Sequence, residues 1–455
     1  MAIASSEPPR RLDQGMTLCL NGDLTHCSDA SLKNDIYPIT PPAEVDCDHR
    51  FLSLPSPKPI EPNAKPLVAV IGVGYVGTHL VSVFSREYDT LGFDVSERRV
   101  RELRGVFAGN ERVAVTSTPQ DLDGATHFLI SVPTLLLPDK SVDTSYLRSA
   151  LSTVAAYARP GATVVIESSV AIGMTRQLLG PLARERGFFV GMSPERVDPG
   201  RTEPAAYAIP KIVSGLDDVV PGSLASISRL YSGVFDRIIP VSKPEVAEMT
   251  KLYENCQRMM CIAYCNEMAD ACQTLEIDPF EVCEAASTKP FGYMPYQPSC
   301  GVGGHCIPVN PYYLLSNSSF PLLQAASETM ARRPAVIAKS VVERLARRQK
   351  SRADGARPRA LVVGVGFKAG QSTLSNSPGL ALIESLSQCA AVEIQFADPL
   401  VRQEDVPHIA RLADDDWRRS TLETFDAVIV TIRQTGLDFA LLNDLDDVHV
   451  EWWCV

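Results

Sequence analysis

The stretch LVAVIGVGYVGTHLVSVFSREYDTLGFD, Leu67 to Asp94, constrains this chain more than any other. A β-rich run, Leu67 to Ile71, meets Gly72-Val73-Gly74-Tyr75-Val76-Gly77, and a helical pattern follows. A second run, Thr90 to Phe93, ends at Asp94, roughly 20 residues beyond the glycines. Each glycine has a physical task. Gly72 makes the turn, Gly74 lets a pyrophosphate approach the backbone, and Gly77 lets helix and strand pack closely. The helix N-terminus faces the phosphates. Asp94 would accept hydrogen bonds from ribose hydroxyls, which favours NAD over NADP. The spacing therefore predicts a Rossmann-like α/β fold that binds NAD.

The βα rhythm continues. His127 to Thr134, Thr163 to Gly173 and Phe188 to Gly200 each read as a strand leading into a polar turn. In a doubly wound sheet, ligands sit beyond the carboxyl ends of the strands. Ser131, Thr134, Glu167 and Glu195 are thus expected on one crevice, whereas Ser168 and Ser193 read as turn or cap residues. From about Glu245 to Glu276 the period becomes helical. Lys251 and Asn255, four residues apart, share one face. Their flanks (Met249, Leu252, Met259, Met260, Ile262) predict a buried helix, and a long helix between two α/β domains is a natural dimerisation surface. Helical pattern resumes from Phe320 towards Arg348. A charged linker then leads to a second βα entry, Ala360 to Gly370, with Lys368 placed to meet phosphate.

The expected organisation is two Rossmann-like doubly wound domains joined by a long central helix, behind a disordered N-terminal extension. The extension covers 1–64, which is rich in Pro, Ser and Asp. The NAD-binding domain covers 65–242, a central helical dimerisation domain with a cysteine loop 243–350, and a second Rossmann-like domain 351–455. A formal charge of −11 argues against a nucleic-acid partner. No apolar run reaches transmembrane length, and the first residues lack a signal-peptide core. With no CxxC pair among 12 cysteines, structural zinc is not expected and the setting reads as reducing and cytoplasmic.

One cysteine stands apart. In GVGGHCIPVNPYYL, Cys306 follows Gly301, Gly303 and Gly304 and precedes Pro308 and Pro311. Glycines permit a tight turn close to a ligand. A cysteine on such a turn is either a buried structural residue or a candidate nucleophile.

Taken together, GVGYVG, SPERVDPG, AEMTKLYEN, TKPFG and GVGGHCIPVNPYYL resemble, in order and spacing, the UDP-glucose/GDP-mannose dehydrogenase family. The resemblance runs from about Pro66 to the end. Its wording is nearer the branch oxidising UDP-N-acetylhexosamines than the UDP-glucose branch. It implies NAD-dependent, four-electron oxidation of the C-6 alcohol of a UDP-sugar, through a thiohemiacetal and a thioester on Cys306. It implies that Lys251 and Asn255 stabilise the C-6 oxyanion and that Glu195 is a general acid/base. It also implies cofactor positions at Gly72, Gly74, Gly77, Asp94, Arg99, Thr134 and Glu167. Lys251, Asn255, Gly303 and Lys368 would contact substrate, the C-terminal domain holding its nucleotide half, and the enzyme would be a homodimer.

Three departures stand out. Asn310 replaces the family's Asp four residues after the cysteine, and Asn cannot take a proton. Ser375 stands where the family has Arg. Pro199 replaces a Glu of the UDP-glucose branch but matches the N-acetylhexosamine branch. Two alternatives stay open. One is a catalytically impaired NAD- and UDP-sugar-binding relative with a regulatory or partner role. The other is a two-electron hydroxyacid dehydrogenase, which needs no cysteine.

Overall fold

The computed structural model describes Ile60 and residues 65–198, 200–349, 357–388, 392–443 and 445–454, all within one compact unit, Asp46–Val455. The expected disordered extension, 1–64, lies outside the described residues apart from Ile60. That residue donates its N–H to Pro160 O at 3.1 Å and packs against the first core.

The chain opens with β1 (Leu67–Ile71), α1 (Tyr75–Phe84), β2 (Asp89–Phe93), α2 (Glu97–Val106), β3 (Val113–Thr116) and β4 (His127–Ile130). A small hairpin, β5 (Leu135–Leu136) and β6 (Val142–Asp143), precedes α3 (Ser145–Tyr157), β7 (Thr163–Ile166), α4 (Met174–Arg186) and β8 (Phe189–Met192). Then come β9 (Lys211–Gly215), α5 (Ser223–Ser232) and β10 (Ile238–Pro240). Eight of these strands form one sheet in the order β10-β9-β8-β7-β4-β1-β2-β3. Strand order reverses at β1 and β4, whose carboxyl ends open the crevice where such sheets bind ligands. Residues of β1, β4 and β7 are buried on both faces, as the near-continuous apolar runs require. One pairing departs from parallel: β8 and β9 run antiparallel.

The 31-residue helix α6 (Pro244–Thr274) leads to α7 (Pro279–Ser287), α8 (Asn310–Leu315) and α9 (Pro321–Gln349). Leu252, Cys256, Met259 and Ala263 of α6 pack with Tyr313 and Leu314 of α8 and with Leu323, Ala326 and Met330 of α9. Leu252 and Met259 are buried as expected, but Met249 faces outward.

A second, all-parallel sheet is built from β11 (Arg359–Val363), β12 (Glu393–Ala397), β13 (Ala410–Arg411), β14 (Ala427–Val430) and β15 (His449–Trp452), in the order β13-β12-β11-β14-β15. Its helix α10 (Pro378–Ser387) is N-capped by Ser377, whose Oγ accepts from Leu380 N. Among the described residues, no helix is long and apolar enough to cross a membrane, and no group of His, Cys, Asp or Glu could hold a metal.

Candidate active site

The glycine turn has the conformation that the sequence demands. Gly72 has φ +84°, and a Cβ at Gly77 would lie 2.0 Å from Gly72 O, so neither position admits a side chain. A Cβ at Gly74, by contrast, would meet nothing within 4 Å. It would project into the open space over the amino end of α1, where no side chain caps the helix. The cradle therefore fits a pyrophosphate at the amino end of α1.

Asp94 anchors the turn. Its carboxylate accepts from Val73 N at 3.0 Å and Ser96 N at 2.9 Å. Arg99 Nε donates to Val73 O and Nη2 to Thr78 Oγ1, both at 2.9 Å. Ser131 spends its hydroxyl on Gly72 O at 2.6 Å, bracing the turn from behind. Thr134 Oγ1 donates to Ser169 O at 2.9 Å. Val76 packs on the core beneath the turn, while Tyr75 lies outside it with its hydroxyl 3.4 Å from Asp198 O.

Helix α6 carries the next groups on one face. Glu248 accepts from Gly173 N at 2.6 Å and Thr175 N at 2.8 Å, fixing α6 to the amino end of α4. One turn on, Lys251 is buried, and burial pushes its pKa below the ordinary range against the charges of Cys306, Glu195 and Glu254. Another turn on, Asn255 Nδ2 donates to Asn310 Oδ1 at 2.5 Å.

Cys306 itself is exposed on its turn, which Asn310 N closes by donating to Cys306 O at 2.9 Å. The loop is clamped to the second sheet's domain. Gly304 N donates to Ser375 O, and Asn376 Nδ2 to Gly304 O, both at 2.9 Å. A Cβ at Gly303 would press to 2.9 Å from Phe367. Ser375 thus holds the loop through its backbone carbonyl oxygen.

Glu195 is held at both oxygens. Oε1 accepts from Arg196 N at 2.7 Å and Val197 N at 3.0 Å, and Oε2 takes the Lys211 ammonium at 2.7 Å. Arg196 reaches across to Glu254 of α6, with Nη2 to Oε1 at 2.6 Å, tying the Glu195 loop to the helix of Lys251. Glu167 sits below the crevice floor, 1% exposed, with its oxygens engaged by Lys211 and the Tyr231 hydroxyl. Lys368 lies 3.3 Å from Asp198 Oδ1, so it faces the SPERVD loop. Pro199 lies outside the described residues.

Lys211 and Tyr231 escaped sequence reasoning. The only signal is a lysine inside the apolar run IPKIV, where a charge needs a partner to be buried.

The chain matches the model of the UDP-glucose/GDP-mannose dehydrogenase family twice, in its NAD binding domain over residues 66–234 and its central domain over 245–329. It is 31% identical to UDP-N-acetyl-D-glucosamine 6-dehydrogenase of Pseudomonas aeruginosa over 369 residues, covering 75% of this chain and 84% of that protein. It is 32% identical to UDP-N-acetyl-D-mannosamine dehydrogenase of Pyrococcus horikoshii over 359 residues, covering 74% and 84%. The solved structure of UDP-D-ManNAc dehydrogenase from Pyrococcus horikoshii superposes with TM-score 0.70 at 29% identity, over 81% of this chain and 90% of that one.

Proposed function

The chain belongs to the UDP-glucose/GDP-mannose dehydrogenase family and is an NAD-dependent oxidoreductase, and we propose that it oxidises the C-6 alcohol of a UDP-sugar to the uronic acid in two two-electron steps. A UDP-N-acetylhexosamine is favoured over UDP-glucose, in line with the substrates for which the relatives above are named. The observation that carries the reading is Cys306, exposed on a turn whose closing residue, Asn310, bonds the α6 face bearing Lys251 and Asn255.

Bound NAD supplies the hydride acceptor, one molecule for each two-electron step. Cys306 Sγ adds to the aldehyde carbon, forming a thiohemiacetal, and carries the acyl group as a thioester until water cleaves the C–S bond. Lys251 Nζ and Asn255 Nδ2 serve as donors to the C-6 oxygen as it gains charge; one such donor is worth about 100- to 1,000-fold in rate. Because burial lowers its pKa, Lys251 also gives up a proton more readily than an exposed lysine. Glu195 takes the proton of the attacking water. Asn310 accepts from Asn255 and lacks the charge of an aspartate. Gly303 and Lys368 border the nucleotide half of the substrate.

A homodimer belongs to the same reading. Tyr253 and Tyr264 are 69% and 63% exposed on α6, with Met249 and Met268 beside them, an apolar stripe suited to a second copy. A cytoplasmic location completes it.

The test is stoichiometric. Purified protein is mixed with NAD and, separately, UDP-glucose, UDP-N-acetylglucosamine, UDP-N-acetylmannosamine and GDP-mannose, and NADH is counted per sugar consumed. Two NADH per sugar are expected with a UDP-N-acetylhexosamine, and Cys306→Ala is expected to abolish the second. One NADH per sugar in the parent would refute the thioester route. None with any sugar, while NAD still binds, would favour the non-catalytic relative.

A further inference from the structure

Three strand ends converge on one buried cation. Strand β9 runs against β8, pairing Met192 with Ser214 and Gly191 with Gly215, and continuing that register brings Lys211 level with Glu195. There Lys211 Nζ lies 2.7 Å from Glu167 Oε2, 2.7 Å from Glu195 Oε2 and 3.5 Å from Pro194 O. The lysine is 2% exposed, and the ring of Phe235 closes over it with its centroid 5.5 Å from Nζ. Every donor of the ammonium therefore has an acceptor, in surroundings where an unpaired charge would be untenable.

We infer that Lys211 is a positioning residue for the reaction: its ammonium fixes the aim of the Glu195 carboxylate and keeps it anionic, while Glu167, bonded to Tyr231, completes the cation's shell. The inference rests on the reading of Glu195 as acid/base.

Two buried carboxylates this close repel, and without a cation between them one takes up a proton. Burial would raise Glu195, but Lys211 and the two backbone N–H groups outweigh it and hold the carboxyl below its ordinary range. Burial pushes Glu167 up to about 7 against the pull of Lys211. The charged form is thus favoured more strongly at the outer carboxyl than at the inner one. The titratable and charged groups facing this cluster include Tyr231, Tyr75 of α1 and Lys251 of α6, with the Arg196–Glu254 ion pair beside them.

The test compares Lys211→Met, Lys211→Arg, the pair Lys211→Met with Glu167→Gln, and Glu195→Gln, on the sugar that the stoichiometric assay identifies. The readouts are the pH profile of kcat, KM for NAD, and folding by circular dichroism. Lys211→Met is expected to move the acid limb of kcat upward by about one pH unit or more and to lower kcat about 10- to 100-fold at neutral pH. KM for NAD should change less than about threefold, because the glycine turn is untouched. Lys211→Arg, which keeps the charge, should restore the limb towards its parental position. The paired variant removes the repulsion that threatens folding and should still show the raised limb. A folded paired variant with the parental limb would overturn the inference. Glu195→Gln separates the two ideas. Parental rates in that variant would refute the acid/base reading itself. A crippled Glu195→Gln beside an unmoved Lys211→Met profile would refute the role of Lys211 alone.

Discussion

Replacing Asn310 with alanine isolates one contact at the proposed reacting centre. Asn310 is 2% exposed at the start of α8. Its backbone N–H closes the Cys306 turn, and its Oδ1 accepts from Asn255 Nδ2. Alanine keeps the backbone bond, so the turn survives and only the side-chain acceptor is lost. Losing that bond costs about 1 kcal/mol, and leaving a buried amide donor unsatisfied costs about 1 kcal/mol more. If the loss falls on the orientation of Asn255 towards the C-6 oxygen, about 2 kcal/mol becomes a fall of about thirtyfold in kcat/KM. Asn310→Asp keeps an acceptor in the same place, so its rate should stay within about threefold of the parent or rise above it. The assay is initial-rate NADH formation with each variant, with a thermal melt to confirm folding. A kcat/KM for Asn310→Ala within twofold of the parent would refute the claim that this contact aims Asn255.

Two alanine substitutions in the glycine turn should separate binding from folding. Gly74→Ala places a methyl in open space, so the melting temperature should hold while NAD affinity, measured calorimetrically, falls about tenfold or more. Gly77→Ala drives a methyl into Gly72 O and should cost about 1–3 kcal/mol of stability; an unchanged melt would contradict the packing. His127 gives an acid signature. Burial, helped by Arg229, pushes its pKa from 6.5 down to about 4. Between these values the unfolded chain binds a proton that the folded chain refuses, so its contribution is whole above 6.5 and drains away as pH falls to 4. The loss is at most about 3 kcal/mol. Urea melts of His127→Gln should show a flatter stability slope across that window, and an identical slope would exclude His127 as its source.

The dinucleotide turn was legible in the sequence because its demands are local: Gly72, Gly77 and Asp94 act within one βαβ unit. The shared face of Lys251 and Asn255 was legible because helical spacing fixes it. Lys211 was not, since its partners are reached only because β9 reverses against β8, and no spacing announces a reversal. Ser131 and Glu167 were placed at strand ends by the sequence, but position on a strand does not say which way a hydroxyl or carboxylate turns. Ser131 turned to Gly72 O, and Glu167 to Lys211 and Tyr231. The docking of Gly304 on Ser375 joins residues far apart in the chain and is likewise invisible to local pattern.

That docking has a mechanical meaning. Cys306, the proposed nucleophile, rides on the body that carries Ser375 and Asn376, while the glycine turn belongs to the other sheet. The proposed reaction, which needs two oxidant molecules, must discharge the first spent one while its half-finished substrate is still attached. With the sulfur moored to the second sheet's side, the tethered sugar has no need to travel when the other side relaxes for the exchange. On that proposed route, the chain separates the berth of the consumable from the anchorage of the workpiece.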